Sequence, residues 1–266
     1  MPSYCTKILF GFICIPVVLS SICTSCKNSD NWDDPNDKIV VATMGASLMY
    51  YENGWVEQAC KELGYECFNK AVSGETTLHF AQKIWRNEYA ADDELDMIDV
   101  VLIQFANCHD VYGDSTTFYQ TADEYTKNYT VQTDKPFYEY SHAQRIDYIL
   151  KKWQQLCEQR HKPMHVIFVT HWHDGRVTYN ESVRKLAQRW NTGVCEIDKN
   201  IGFTKYHPLP DGTQPSVLYA TDTEFIDDIE YGWHPLRGAE GKDIQGRMAD
   251  ILENCLMNYV HQHHIE

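Results

Sequence analysis

Ile39-Val40-Val41-Ala42-Thr43-Met44-Gly45-Ala46-Ser47 is the stretch on which the reading of this chain turns. Ile39, Val40, Val41 and Ala42 form an unbroken apolar run, the pattern of a strand buried on both faces and hence of a parallel sheet. Gly45 then allows a sharp turn, so Ser47 stands at the carboxyl edge of that sheet, where open α/β folds bind their ligands. A serine in that position can cap the helix that follows. It can also be a nucleophile, if a base reaches it from another part of the fold. Trp233-His234-Pro235, near the C-terminus and just before a helix-like stretch, offers such a base.

Outward from that strand the chain alternates between helical and strand patterns. Trp55, Ala59, Cys60 and Leu63 recur at helical spacing within 54–63, and Gly64 ends that helix. Strands are expected over 66–72, 99–105, 164–170 and 193–197, and helices over 77–85, 143–159, 182–190 and 238–259. The helix over 143–159 is the clearest, with Ile146, Ile149, Leu150, Trp153 and Leu156 on one face. Strands that alternate with helices imply a parallel sheet covered on both sides. The expected fold is therefore α/β, a three-layer α/β/α sandwich around a central parallel sheet of flavodoxin-like kind. Residues 111–140 break the alternation and carry Tyr119, Tyr125, Tyr129, Tyr138 and Tyr140 without clear periodicity. A loop this long inside a domain is usually functional. Here it reads either as aromatic cover over a site, suited to stacking on sugar rings, or as a solvated insertion packing its own tyrosines.

Four segments occur in the order found in the SGNH/GDSL hydrolases: Ile39 to Ser47, Asn69-Lys70-Ala71-Val72-Ser73-Gly74, Val100 to Asn107, and Trp233-His234-Pro235. From about residue 38 to 258 the chain resembles that family. The resemblance implies a serine ester hydrolase that needs no metal or organic cofactor. Ser47 would be the nucleophile and His234 the base, with the Ser47 and Gly74 backbone N–H groups and the Asn107 side chain forming the oxyanion hole. The chemistry suits these residue types. Donors aimed at a developing oxyanion are usually the largest catalytic contribution, an amide does not titrate, and imidazole exchanges a proton near neutral pH.

The sequence departs from the family pattern in three places. Gly45-Ala46-Ser47 replaces Gly-Asp-Ser, which removes no catalytic group. The third block reads Phe105-Ala106-Asn107-Cys108-His109-Asp110, so His109 is a second candidate donor beside Asn107. The family's acid stands three residues before the histidine, and here that position is Tyr231. Asp228, Glu230, and a Ser-His dyad backed by a backbone carbonyl stand as equal readings of what lies behind His234.

Composition narrows the partners. The chain has 266 residues, 43% of them hydrophobic, enough for one sizeable core. A formal net charge of −15 argues against nucleic acid, which requires concentrated Lys and Arg. Lys7 followed by the apolar run 8–22 reads as a secretion signal over residues 1–25, too short for a membrane span. Thr24-Ser25 before Cys26 resembles a bacterial lipoprotein cleavage site, which would make Cys26 the lipidated first residue and 26–37 a polar tether. The domain would then occupy 38–260 in the cell envelope, anchored by lipid alone or secreted. Cys60, Cys67, Cys157, Cys195 and Cys255 show no CxxC or disulfide-framework spacing and read as small buried hydrophobes; Cys108 stands apart because it adjoins Asn107.

The expected substrate is a small-molecule or carbohydrate ester, acetyl groups on sugar being the family-based choice. Two other readings compete. Thr170-His171-Trp172-His173-Asp174 follows an expected strand, and His171 with His173 could ligate a metal if the loop is extended, giving a metal-dependent hydrolase. The missing acid at Tyr231 also suits a non-catalytic carbohydrate-binding lipoprotein on a hydrolase fold.

Overall fold

In a computed structural model, which describes residues 38–106, 140–238 and 242–265, the apolar runs of the sequence become the middle of a sheet. Strand β1 (Val40–Gly45), β3 (Val100–Gln104) and β4 (Val166–Val169) are buried along their whole length, as strands covered on both faces must be. The shorter β2 (Glu66–Phe68) and β5 (Gly193–Cys195) form the edges. All five run parallel, in the order β2-β1-β3-β4-β5.

The helices between them are α1 (Trp55–Glu62), α2 (Thr77–Trp85), α3 (Asp92–Met97), α4 (His142–Gln159) and α5 (Val177–Trp190). After β5 come the short α6 (Ile197–Asn200) and α7 (Pro215–Leu218), an antiparallel hairpin of β6 (Thr223–Ile226) and β7 (Ile229–Gly232), and α8 (Lys242–His263). Parallel crossovers are right-handed. The step from β1 outward to β2 therefore puts α1 on one face, and the return steps put α2, α4 and α5 on the other. The packing agrees: α1 lies against α8, and α2 against α4. This is the expected three-layer α/β/α sandwich. The strand order reverses between β1 and β3, which opens a crevice at their carboxyl ends.

Several boundaries differ from the sequence reading, each for a local reason. Strand β2 stops at Phe68 because the Asn69 side chain leaves the ladder, accepting from Thr43 Oγ1 at 2.9 Å and donating to the Met49 carbonyl at 2.8 Å. Strand β5 ends at Cys195, and Ile197 starts α6 instead. Helix α5 begins at Val177, five residues earlier than expected, on a polar first turn. Helix α4 opens at His142 on a capping box in which Ser141 accepts from the Gln144 N–H and Gln144 accepts from the Ser141 N–H. Cys60, Cys67, Cys157, Cys195 and Cys255 are free thiols, as read. Among the described residues no helix is long and apolar enough to cross a membrane. Cys26, Asn107, Cys108, His109 and most of the tyrosine-rich segment lie outside the described residues.

Candidate active site

The turn after β1 is built by exclusion. A Cβ on Gly45 would stand 2.7 Å from Met49 Sδ and 2.9 Å from the Gln104 carbonyl, so only glycine fits between β1 and β3 there. The Ala46 N–H donates to that same carbonyl, and the Met49 N–H closes the turn on the Ala46 carbonyl. Leu48 and Met49 are buried, and Trp55 Nε1 donates to the Leu48 carbonyl at 2.8 Å. These contacts leave Ser47 half-buried at the mouth of the crevice.

A second turn lies against the first. The Val72 N–H donates to the Gly45 carbonyl, and the Ala71 N–H donates to Thr43 Oγ1. Asn69 ties the two turns together through Thr43 and Met49. Gly74 stands in this turn at φ +77°, a left-handed conformation that side chains resist, with nothing within 4 Å of where a Cβ would be. Among the described residues the N–H groups of Ser47 and Gly74 donate to no backbone carbonyl. Of the expected oxyanion donors, these two lie on turns that the Val72, Thr43 and Asn69 hydrogen bonds hold side by side.

His234 reaches Ser47 from the far end of the chain. Its Nε2 lies 2.8 Å from Ser47 Oγ. Its Nδ1 faces both carboxylate oxygens of Asp222 at 2.9 Å, and the Asp222 Oδ1 also accepts from the His234 backbone N–H at 2.9 Å. The carboxylate that meets His234 is therefore Asp222, which corrects the sequence reading on both candidates. Asp228 sits in the hairpin turn at φ +62°, beside Asp227 at +51°. Glu230 accepts from Thr223 Oγ1 at 2.7 Å on the exposed side of the hairpin. Neither meets the imidazole, and a dyad without a carboxylate is ruled out by the same contact. Tyr231, at the family's acid position, instead stacks on the His173 ring at 5.3 Å and 9°.

The hairpin register explains how an acid twelve residues upstream arrives at the histidine. Ile226 pairs with Ile229 and Thr223 with Gly232. The pairing continues beyond the named strands: Trp233 N–H donates to the Asp222 carbonyl, Thr221 N–H donates to the His234 carbonyl, and Ala220 bridges Pro235. Asp222 is thus the cross-strand neighbour of Trp233 and adjoins His234. Sequence reasoning searched the loop before the histidine. The signal that would have found Asp222 was the two-residue Asp227-Asp228 turn between Thr223-Glu224-Phe225-Ile226 and Ile229-Glu230-Tyr231-Gly232, a hairpin pattern whose register can be counted.

The loop after β4 backs this hairpin. His171, Trp172, His173 and Arg176 are fully buried there. Asn180 on α5 clamps the loop, accepting from the His171 N–H at 2.7 Å and donating to the His173 carbonyl at 3.1 Å. Trp172 Nε1 donates to the Trp233 carbonyl at 3.0 Å, and His173 Nε2 lies 2.7 Å from the Gly232 carbonyl. Arg176 pairs through Nε and Nη2 with the Glu224 carboxylate. His171, His173 and Glu224 bring one potential ligand atom each within 4.8 Å, the grouping a metal would need. The ligand atoms of two of the three are already used. His173 Nδ1 accepts from the Gly175 N–H at 3.1 Å, so Nε2 must carry the proton that meets the Gly232 carbonyl, and both ring nitrogens are used. Both Glu224 oxygens face the guanidinium. Burial holds the His171 ring well below the usual imidazole range and pushes His173 down to about 3, with the Arg176 charge acting in the same direction. The motif read as a candidate metal site is the hairpin's anchor, held by neutral rings.

Residues 37–260 match the family described as Domain of unknown function (DUF5040). No curated protein matches. Among solved structures, the chain is similar to a lipolytic protein of the G-D-S-L family from Desulfitobacterium hafniense DCB-2, at 13% identity and a TM-score of 0.47, covering 82% of this chain and 99% of that one. It is similar to an SGNH hydrolase from Slackia heliotrinireducens, at 11% identity and a TM-score of 0.46, covering 82% and 99%. It is also similar to a carbohydrate esterase family 3 protein from Talaromyces cellulolyticus, at 14% identity and a TM-score of 0.44, covering 84% and 99%. At such identities the chemistry has to be read from the site, where Ser47, His234 and Asp222 meet.

Proposed function

We propose that this chain, which belongs to the DUF5040 family, is a serine ester hydrolase. The observation that carries the reading is the continuous relay from Asp222 through both nitrogens of His234 to Ser47 Oγ. Nucleophile, base and orienting acid stand in hydrogen-bond reach of one another, the arrangement that activates a serine hydroxyl.

The steps follow from that geometry. His234 Nε2 takes the Ser47 proton as Oγ attacks the ester carbonyl carbon. Asp222 holds the Nδ1 proton and stabilises the imidazolium. The carbonyl oxygen becomes an oxyanion facing the Ser47 and Gly74 N–H groups, donors in place before charge develops. Collapse expels the alcohol, which receives the proton from His234 and leaves an acyl-serine. Water then attacks with His234 as base, and as the Ser47 Oγ–acyl bond breaks His234 returns that proton to Oγ, releasing the acid. Every proton moves through groups of this chain.

A carbohydrate ester, with acetyl as the acyl group, is the substrate class suited to the tyrosine-rich sequence beside the third block. Lipid attachment at Cys26 would place the domain in the cell envelope; Cys26→Ser should then release it from the membrane fraction with activity intact. The test of the central reading is labelling by a fluorophosphonate probe together with turnover of aryl and sugar acetates. Labelling should be confined to Ser47 and vanish in Ser47→Ala. An unlabelled wild-type protein, or a Ser47→Ala variant with full turnover, would overturn it.

A further inference from the structure

Arg176 is a fully buried charge beside the site that the relay does not use. It is 0% exposed, at the N-terminal boundary of α5, and its guanidinium touches three separate parts of the site. Nε donates to Glu224 Oε1 at 2.8 Å, and Nη2 donates to Glu224 Oε2, a fork-to-fork pair with β6 two residues from Asp222. Nη1 donates to the Ala106 carbonyl at 3.1 Å, just beyond β3 and immediately before Asn107. Its plane lies 4.0 Å from the centre of the Trp233 ring, next to His234.

These contacts matter because Glu224 is a second carboxylate close to the catalytic imidazole. Glu224 is mostly buried, and burial pushes its carboxyl up while the Arg176 charge pulls it back; the His234 ring acts on it too. Among the described residues, the charged or titratable groups facing His234 are Asp222 and Glu224 from the hairpin and His171 and Arg176 from the loop after β4. His171 is held neutral by burial. Arg176 and Glu224 carry opposite charges and pair with each other, so among the described residues Asp222 is the carboxylate at the ring that no cation pairs.

We propose that Arg176 is a positioning residue of this site, locking the hairpin that carries Asp222 and His234 onto the end of β3 and neutralising Glu224. Serine hydrolysis, as read above, is the premise. A merely structural ion pair would lower the folded fraction when broken. A positioning pair next to the base also moves the pH dependence, and in opposite directions for its two members.

The experiment is the pH profile of fluorophosphonate labelling and of aryl acetate turnover, per folded molecule by circular dichroism. The proteins are wild type, Arg176→Met, Arg176→Lys, Glu224→Gln and the double variant Arg176→Met/Glu224→Gln. Removing the cation in Arg176→Met should move the acid limb of kcat/KM up by about one pH unit and lower kcat by about 10–100-fold, with KM little changed. Removing the anion in Glu224→Gln should move the limb down by a similar amount. The double variant should return the limb to the wild-type position, the non-additivity expected of a coupled pair. Arg176→Lys should hold the limb and lose about tenfold in kcat, because charge stays but the fork is lost. Should Arg176→Met fail to fold, the downward limb of Glu224→Gln still decides. Limbs that stay put, or move in the same direction in both single variants, overturn the proposal. So does activity that only tracks the folded fraction. If wild type neither labels nor turns over, the serine reading fails and takes this role with it; if wild type labels and only the variants disagree, the Arg176 role alone is wrong.

Discussion

The turn that presents Ser47 and the hairpin that presents Asp222 and His234 meet at 2.8 Å, yet they are held by different forces. Every residue of β1 is buried, and the turn after it is closed by Leu48, Met49 and the indole of Trp55. The hairpin has little apolar cover. Phe225, Ile229 and Glu230 are exposed, and the acid Asp222 has about half its side chain in solvent. What holds the hairpin is a set of polar contacts from behind: His173 to Gly232, Trp172 to Trp233, Arg176 to Glu224, and Ser216 Oγ accepting the Gly232 N–H. Ser47 is placed by close packing of buried apolar residues together with backbone hydrogen bonds of its turn. Asp222 and His234 are placed chiefly by side-chain hydrogen bonds from behind the hairpin, which are directional and fail when a single partner is lost.

That contrast can be broken or sharpened by substitution. The largest effects belong to the atoms where the two regions meet. Ser47→Ala and His234→Ala should each lower aryl acetate turnover by about 10⁴-fold or more, and the double variant should be scarcely worse, since the pair acts as a unit. Additive losses in the double variant would mean that the two do not share one reaction. Asp222→Asn should cost about 10²–10⁴-fold in kcat with little change in KM, because the ring loses both its orientation and the charge that stabilises its protonated form. Wild-type turnover in that variant would put the acid elsewhere.

Stability tests address the two kinds of anchoring separately. Gly45→Ala forces a Cβ against the Gln104 carbonyl, a backbone atom that cannot swing away. It should cost up to about 3 kcal/mol in urea unfolding. An unchanged midpoint would show that β1 and β3 are not as close as described. On the hairpin side the sign follows from His173. Its ring takes up a proton near 6.5 in the unfolded chain but only near 3 when folded, so the unfolded state binds more protons between those values. The stability it contributes is complete above about pH 6.5 and falls as the pH is lowered. At pH 5 the loss is about 2 kcal/mol, and buried His171 acts in the same direction. Thermal unfolding between pH 8 and pH 5 should show this slope, and His173→Gln should flatten it; an equal slope in the variant would place the titrating group elsewhere. The smallest effects are expected from Asp228→Asn and Glu230→Gln, within about twofold in turnover. A loss from either as large as that of Asp222→Asn would contradict the hairpin register.

The same contrast explains what the sequence disclosed. Strands β1, β3 and β4 were legible because burial on both faces leaves an unbroken apolar run. Ser47 and His234 were legible through the order of four short blocks. Helix α3 was not, because Asp92-Asp93-Glu94-Leu95-Asp96-Met97 buries only Leu95 and so carries no helical stripe. The hairpin was passed over because its residues lie mostly at the surface, and Asp227-Asp228 lacks the glycine that usually marks such a turn. Without the hairpin, Asp222 could not be set beside His234. Arg176 had no signature at all: one arginine in a loop looks like a solvated side chain until its three partners are assembled in space.

One consequence of the hairpin register concerns how this site can change length. Asp222 stands beside His234 because their flanking residues are paired symmetrically about the turn between Ile226 and Ile229. Insertions of matched residues into both arms leave acid and base as neighbours and only move the turn farther from the sheet. A single residue inserted in one arm shifts the count by one, and a one-residue slip turns every side chain of that arm to the opposite face. Thr221 or Thr223 would then take the place of the carboxylate, and neither can hold a charge. The distance between acid and histidine along the chain can therefore vary while their meeting is kept, provided that it varies by even numbers.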